Sequence, residues 1–301
     1  MTIEQLNADY GIENQLTFVE GNGGFPMINV ANDKAKAQIS VYGGQVLSFQ
    51  PNTEAQDLLF LSANAYYKPG KAIKGGAPVC WPWFGPDPEG KGRPSHGIAR
   101  NRLWTVVSTE TTDAGDTKVV LGFSDTEETR EIWPQSFDFA IEILVSDKLT
   151  MALVTRNNSD QAFSITQALH TYFTVGDITQ VTVSGLDTKR YIDKVDAGTE
   201  KTQQGAVAIA QEVDRIYLDV PSELIIHDNS LGRRIHVAST GSKSAVVWNP
   251  WVDISTKMAD LEDEDYKRFI CVETTNAATD VVNVPAGEDY RLTAVYSVDQ
   301  G

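Results

Sequence analysis

Apolar and polar positions alternate with a period of two along almost the whole chain, the pattern that turns one face of a strand to a core and the other to water. Phe137, Phe139, Ile141, Ile143 and Val145 alternate up to Ser146-Asp147-Lys148, and Leu149, Met151 and Leu153 alternate after it, which predicts a β-hairpin. A second hairpin is predicted for residues 104–107 and 118–123 around Asp113-Ala114-Gly115-Asp116. Ala37, Ile39 and Val41 alternate in the same way, and residues 180–183, 224–227, 245–248, 269–272 and 291–298 supply further strands. Helical signals are few. Residues 2–10 predict a short helix with Thr2 and Gln5 at capping-box spacing, and residues 255–267 an acidic surface helix. Strand never alternates with long helix, no Gly-rich phosphate loop opens a helix, and no linker or repeat interrupts the chain. The pattern therefore predicts an all-β fold, one large antiparallel β-sandwich with few short helices, as a single domain over residues 1–301.

Composition adds exclusions. The 301 residues are 41% hydrophobic with a net charge of −16, ample for a core and strongly acidic. That charge repels nucleic acid and anionic membranes, so neither is an expected partner. No apolar run approaches the roughly 20 residues of a membrane helix. The start, MTIEQLNADYG, carries neither a basic region nor an apolar core of a secretory signal, which predicts a cytoplasmic protein. Cys80 and Cys271 have no further Cys or His at ligand spacing, so buried reduced thiols are expected rather than a structural zinc site.

One stretch departs from this acidic background. Lys71, Lys74, Lys91, Arg93, Arg100 and Arg102 face only Asp87 and Glu89 between residues 71 and 102, and they surround Gly75-Gly76, Pro78 and Trp81-Pro82-Trp83-Phe84-Gly85-Pro86. A local cation cluster on an acidic body can capture a small anion such as a phosphate, and aromatic faces beside Arg and His suit a sugar ring. Of the four histidines, His227 and His236 sit in alternating stretches where an outward-facing polar residue is the simple account. His170 lies among apolar and aromatic residues in Ile165–Phe173, read here as one strand, and Glu273 ends the apolar run 269–272. A carboxylate there is costly unless paired or functional, which makes the two an acid/base candidate.

Six motifs in order extend the reading: Gly75-Gly76-Ala77-Pro78 to Trp81-Pro82-Trp83-Phe84-Gly85, Ser95-His96-Gly97-Ile98-Ala99-Arg100-Asn101, Leu169-His170-Thr171-Tyr172-Phe173, Asp214-Arg215-Ile216-Tyr217, Val247-Trp248-Asn249-Pro250-Trp251 and Cys271-Val272-Glu273. Together they resemble the hexose-6-phosphate mutarotases, the glucose-6-phosphate 1-epimerase branch of the aldose 1-epimerase family. The resemblance implies a galactose-mutarotase-like sandwich with a metal-free and cofactor-free site that interconverts the anomers of a hexose 6-phosphate; the sequence leaves the oligomeric state open, with a monomer favoured. It makes His170 the general acid at the ring oxygen and Glu273 the general base at the anomeric hydroxyl. His96 and Asp214 would bond the sugar, Trp248 would line the pocket, and Lys74 and Arg100 would face the substrate or its phosphate, with Arg93 a further phosphate position. The residue before the Gly-Gly pair is Arg in several relatives and Lys74 here, a point charge in place of a bidentate fork. Two other readings stay open. A mutarotase for unphosphorylated aldoses would have no anion for Arg100 and Lys74, and a non-catalytic sugar-phosphate binder or sensor would have no use for a matched acid and base.

Overall fold

Five apolar side chains on one face of a nine-residue strand are enough to commit it to a core. In Phe137–Val145 every second residue, from Phe137 to Val145, is at most 1% exposed. The strand pairs with Leu149–Asn157, Val145 opposite Leu149, so the turn falls where Ser146-Asp147-Lys148 predicts it. The computed structural model describes residues 1–300. These two strands belong to a nine-stranded antiparallel sheet whose order is Val207–Ala208, Val181–Ser184, Glu223–Asp228, Arg233–Thr240, Asp289–Gln300, Leu149–Asn157, Phe137–Val145, Thr117–Ser124 and Thr105–Thr111. The predicted second hairpin is the last pair.

A second sheet lies against it, in the order Thr199–Thr202, Arg190–Asp193, Val213–Leu218, Ser244–Asn249, Phe269–Asn276, Gln167–Leu169 and Val79–Cys80, with Tyr172–Thr174 also on Phe269–Asn276. One apolar cluster fills the space between the sheets, taking Tyr217, Val247, Ile270 and Val272 from this sheet and Phe137, Ile141, Ile235, Leu292 and Tyr296 from the other. The four-stranded sheet Leu16–Glu20, Pro26–Ala31, Ala35–Ser40 and Gln45–Pro51 contributes to the same cluster. The all-β antiparallel sandwich with few short helices is therefore what the chain forms.

Local differences from the sequence pattern have physical causes. The first helix, Ile3–Tyr10, starts after Thr2, whose hydroxyl accepts from Gln5 N–H while the Gln5 side chain accepts from Thr2 N–H. The acidic stretch 255–267 is not one helix: α-helix Trp251–Ser255 stops, and turns lead to a single 3-10 turn, Asp265–Lys267. Asp260, Glu262, Asp263, Glu264 and Asp265 are too close in charge for a continuous helix, and Asp265 is instead buried, accepting from Glu262 N–H at 2.9 Å and pairing with Arg268. The 165–173 region is likewise three short strands, Phe163–Ile165, Gln167–Leu169 and Tyr172–Thr174, broken at Thr166 and again at His170-Thr171. Trp81 and Trp83 serve the core rather than a sugar: Trp81 is fully buried, stacks on Phe139 at 4.3 Å and donates to Thr155 Oγ1 at 2.9 Å. Cys80 and Cys271 are buried free thiols.

Gly97 ties the cationic segment to this core. It sits at φ +76°, and a Cβ there would lie 1.9 Å from the carbonyl oxygen of Trp81, which already accepts from Ile98 N–H. Gly97→Ala is expected to destabilise the fold by roughly 3 kcal/mol or more, from a backbone clash added to left-handed strain. Urea unfolding checks this, and a midpoint equal to that of the native chain contradicts it.

Candidate active site

Strand register alone assembles much of the site. On the face of the second sheet turned away from the core, alternate residues of three neighbouring strands stand side by side: Ile216 opposite Val246 and Val246 opposite Glu273 in one row, then Asp214 opposite Trp248 and Trp248 opposite Cys271 in the next. Two carboxylates from distant parts of the chain thus share one face. Leu169 pairs with Thr274 and Tyr172 with Cys271, so the interruption between them brings His170 level with Glu273. The His170 N–H donates to Pro78 O at 2.9 Å, and its ring stacks on Tyr172 at 5.1 Å and meets the edge of Trp248 at 5.8 Å. His170 Nδ1 then lies 3.3 Å from Glu273 Oε1. Neither Nδ1 nor Glu273 Oε2 has a hydrogen-bond partner among the described residues, so the pair has bonding capacity in reserve.

The cationic segment closes the other side. The loop from Gly85 to His96 is pinned at both ends, His96 N–H donating to Gly85 O at 2.7 Å and Gly85 N–H to His96 Nδ1 at 3.3 Å. An accepting Nδ1 leaves the proton of a neutral His96 on Nε2. Its ring is 5.8 Å from that of His170. Arg100 donates through Nη2 to Ser95 O at 3.2 Å, while its buried Nε has no partner. Lys74 Nζ is 3.4 Å from Asp260. Lys74, His96, Arg100, His170, Asp214, Trp248 and Glu273 all line one cavity of about 600 Å³, the size that suits a small ligand. Arg93 does not line it: Asp87 at 2.6 Å and Glu89 at 2.9 Å take up its charge and its guanidinium lies over Trp83. Of the aromatic segment 81–86 it is Phe84 that lines the cavity, and sequence reasoning missed Lys194 and Met258. Lys194 follows a short strand and enters only because its N–H donates to Asp214 O at 2.8 Å, a contact no local pattern announces.

Burial sets the protonation of this cluster. It holds His170 well below the ordinary imidazole range, helped by His96, Arg100 and Lys74, and pushes Glu273 well above the carboxylate range, with Asp214 adding to it and Arg100 opposing. His96 is lowered to about 3, again by burial first and then Arg100 and Lys74. Asp214 is raised to about 6, by burial, with Lys194 opposing and Glu212 and Asp193 adding. Its folded value lies above its ordinary 3.8, so the charged form carries a cost that is absent below pH 3.8 and fully present above about pH 6. Asp214→Asn should therefore stabilise the protein at pH 8 by roughly 1–3 kcal/mol and leave it unchanged at pH 3.5. Thermal unfolding at the two pH values tests this, and an unchanged Tm at pH 8 refutes it.

One ligand atom each from His170, Cys271 and Glu273 also falls within 4.8 Å of the others, a spacing a metal ion could use. Burial keeps the Cys271 thiol well above its ordinary pKa, so the thiol is neutral beside the His170–Glu273 pair. No helix among the described residues is long and apolar enough to cross a membrane.

Comparisons with known proteins bear on the family and the fold. The family described as aldose 1-epimerase matches residues 26–297. A protein of Escherichia coli K12, provisionally named glucose-6-phosphate 1-epimerase, is 40% identical over 253 residues, covering 84% of this chain and 83% of its own. One from Cenchrus ciliaris with the same provisional name is 38% identical over 265 residues, 85% of this chain and 79% of its own. The crystal structure of a provisionally assigned mutarotase from Salmonella typhimurium superposes with a TM-score of 0.90 at 33% identity, over 99% of both chains. A galactose mutarotase related enzyme from Lactobacillus acidophilus, at 15% identity and TM-score 0.72 over 91% of this chain and 97% of its own, shares the fold.

Proposed function

We propose that this chain, which belongs to the aldose 1-epimerase family, interconverts the α and β anomers of a hexose 6-phosphate, glucose 6-phosphate being the first substrate to test. The observation that carries the reading is the 3.3 Å approach of His170 Nδ1 to Glu273 Oε1 in a cavity that also holds Arg100 and Lys74. Acid and base suffice for opening a hemiacetal. Glu273 takes the proton from the anomeric O1–H, His170 gives one to the ring oxygen, and the bond from C1 to the ring oxygen breaks as C1=O1 forms. After rotation about C1–C2, His170 recovers its proton while the ring oxygen attacks the other face of C1, and Glu273 returns its proton to O1.

The pair needs one shared proton. Burial favours neutral His170 with protonated Glu273, and the working state, His170 charged and Glu273 ionised, holds the same number of protons. Arg100 and Lys74 are among the groups that hold His170 down. A phosphate bound between them offsets that charge and favours the proton on His170, while through Arg100 it also raises Glu273. Glu273 Oε1 then receives the Nδ1–H bond, and the unpartnered Oε2 is the oxygen left for O1–H. His96 Nε2 and Asp214 are placed to bond sugar hydroxyls, and Trp248 offers a ring face.

On this reading the enzyme is one domain, a cytoplasmic monomer whose partner is a small sugar phosphate, and it needs no metal or cofactor. Of the two alternatives, mutarotation of a free aldose leaves the unpartnered Arg100 Nε without a task, and sugar-phosphate binding without turnover leaves the His170–Glu273 pair without one. Optical rotation of freshly dissolved α-glucose 6-phosphate and of α-galactose, with and without protein, tests the proposal. Acceleration is expected for the phosphate ester above all, inhibited by inorganic phosphate and weakening with salt. A salt-insensitive preference for galactose overturns it.

A further inference from the structure

Two of the cavity's three cationic side chains, Arg100 and Lys194, make no ion pair among the described residues, whereas Lys74 is paired, to Asp260. Both members of this pair are fixed from behind. The buried amide of Gln45 donates to Ile73 O at 3.1 Å and Gly75 O at 2.6 Å, on either side of Lys74, and Ser62 N–H donates to Lys74 O. Asp260 stands between Met258, which lines the cavity, and Leu261, which is 3% exposed and accepts from the Asn64 side chain. The side chains of Lys74 and Asp260 are only 19% and 21% exposed, so water screens their interaction incompletely. The charge of Asp260 also reaches the Tyr172 hydroxyl in the cavity wall.

We infer that Asp260 sets the strength and selectivity of the anion subsite, by competing with the substrate's phosphoryl group for Lys74. This rests on the hexose-phosphate reading above for the identity of the substrate. An arriving phosphate must share or displace the Asp260 carboxylate, and its own charge is repelled by it. Asp260 therefore weakens every anion at this position while leaving a neutral sugar unaffected. It also gives the Lys74 ammonium a partner when no ligand is bound. The device makes the subsite less retentive, which favours release of a product that differs from the substrate only at C1.

Titration calorimetry with inorganic phosphate tests the inference without turnover, so its failure is separable from failure of the mutarotase reading. Asp260→Asn is expected to bind phosphate roughly three- to tenfold more tightly than the native protein, because one like charge is gone and Lys74 is released. In a Lys74→Met background the same change should give less than half that gain on a logarithmic scale. In turnover, KM for glucose 6-phosphate should fall with kcat held within about twofold. Unchanged or weaker phosphate binding by Asp260→Asn, or an equal gain in both backgrounds, overturns the proposal. Should the Asn variant not fold, the comparison of Lys74→Met with Arg100→Met decides: a clearly smaller loss of phosphate affinity for Lys74→Met supports the competition, and equal losses contradict it.

Discussion

Glu273→Gln is expected to lower kcat for hexose 6-phosphate anomerisation by roughly 10²- to 10⁴-fold, the size of a general-base contribution, with the fold intact. The change keeps the volume of a side chain that is 1% exposed and removes only its ability to accept a proton. Stability should not suffer. Burial raises the Glu273 pKa, so its ionised form costs stability above its ordinary range, and a neutral amide removes that cost. His170→Asn should lose activity by a similar factor, because the ring's two nitrogens serve Glu273 and the sugar in turn. The double variant should be little worse than either single one, since the two groups act on one proton and their effects do not add. Steady-state kinetics with a coupled anomer-specific assay checks all three, and full activity in Glu273→Gln contradicts the assignment.

Arg100→Met is expected to reduce kcat/KM for a hexose 6-phosphate by roughly 10- to 100-fold, the loss of a charge-assisted bond from a guanidinium to phosphate. Two features single it out. Its Nε is buried without a partner, and its charge acts on His96, His170 and Glu273 alike. Lys74→Met should cost less, because Asp260 already engages the ammonium. Activity toward an unphosphorylated aldose should change little in either variant. Equal losses for phosphorylated and free sugar would mean that Arg100 serves the fold or the ring and not the phosphate.

How much of this could be read from the sequence depended on how local the cause was. Period-two alternation located the hairpin Phe137–Val145 with Leu149–Asn157 because the turn and both faces are encoded within about twenty residues. Thr2 and Gln5 announced a helix start for the same reason. The candidate site was legible as motifs, and seven of its eight named residues meet in one cavity. Arg93 failed because Asp87 and Glu89, six and four residues before it, satisfy it locally. Trp81 and Trp83 read as a sugar platform, yet the nine-stranded sheet claims Trp81 for the core, a demand made by Phe137 and Phe139 from far along the chain. Lys194 and Asp260 were invisible, since each reaches the site only through strand register or a turn packed on a distant strand. The acidic run 255–267 misled because helix propensity was weighed without the buried role of Asp265.

The central claim is that His170 and Glu273 open and close one hemiacetal ring. Magnetisation exchange between the α and β anomeric protons of glucose 6-phosphate at equilibrium measures that event directly, with no coupling enzyme. Catalytic amounts of the native protein should produce exchange cross-peaks that are absent in buffer and absent with Glu273→Gln. Exchange indistinguishable from buffer with the native protein, or undiminished with Glu273→Gln, would contradict the account.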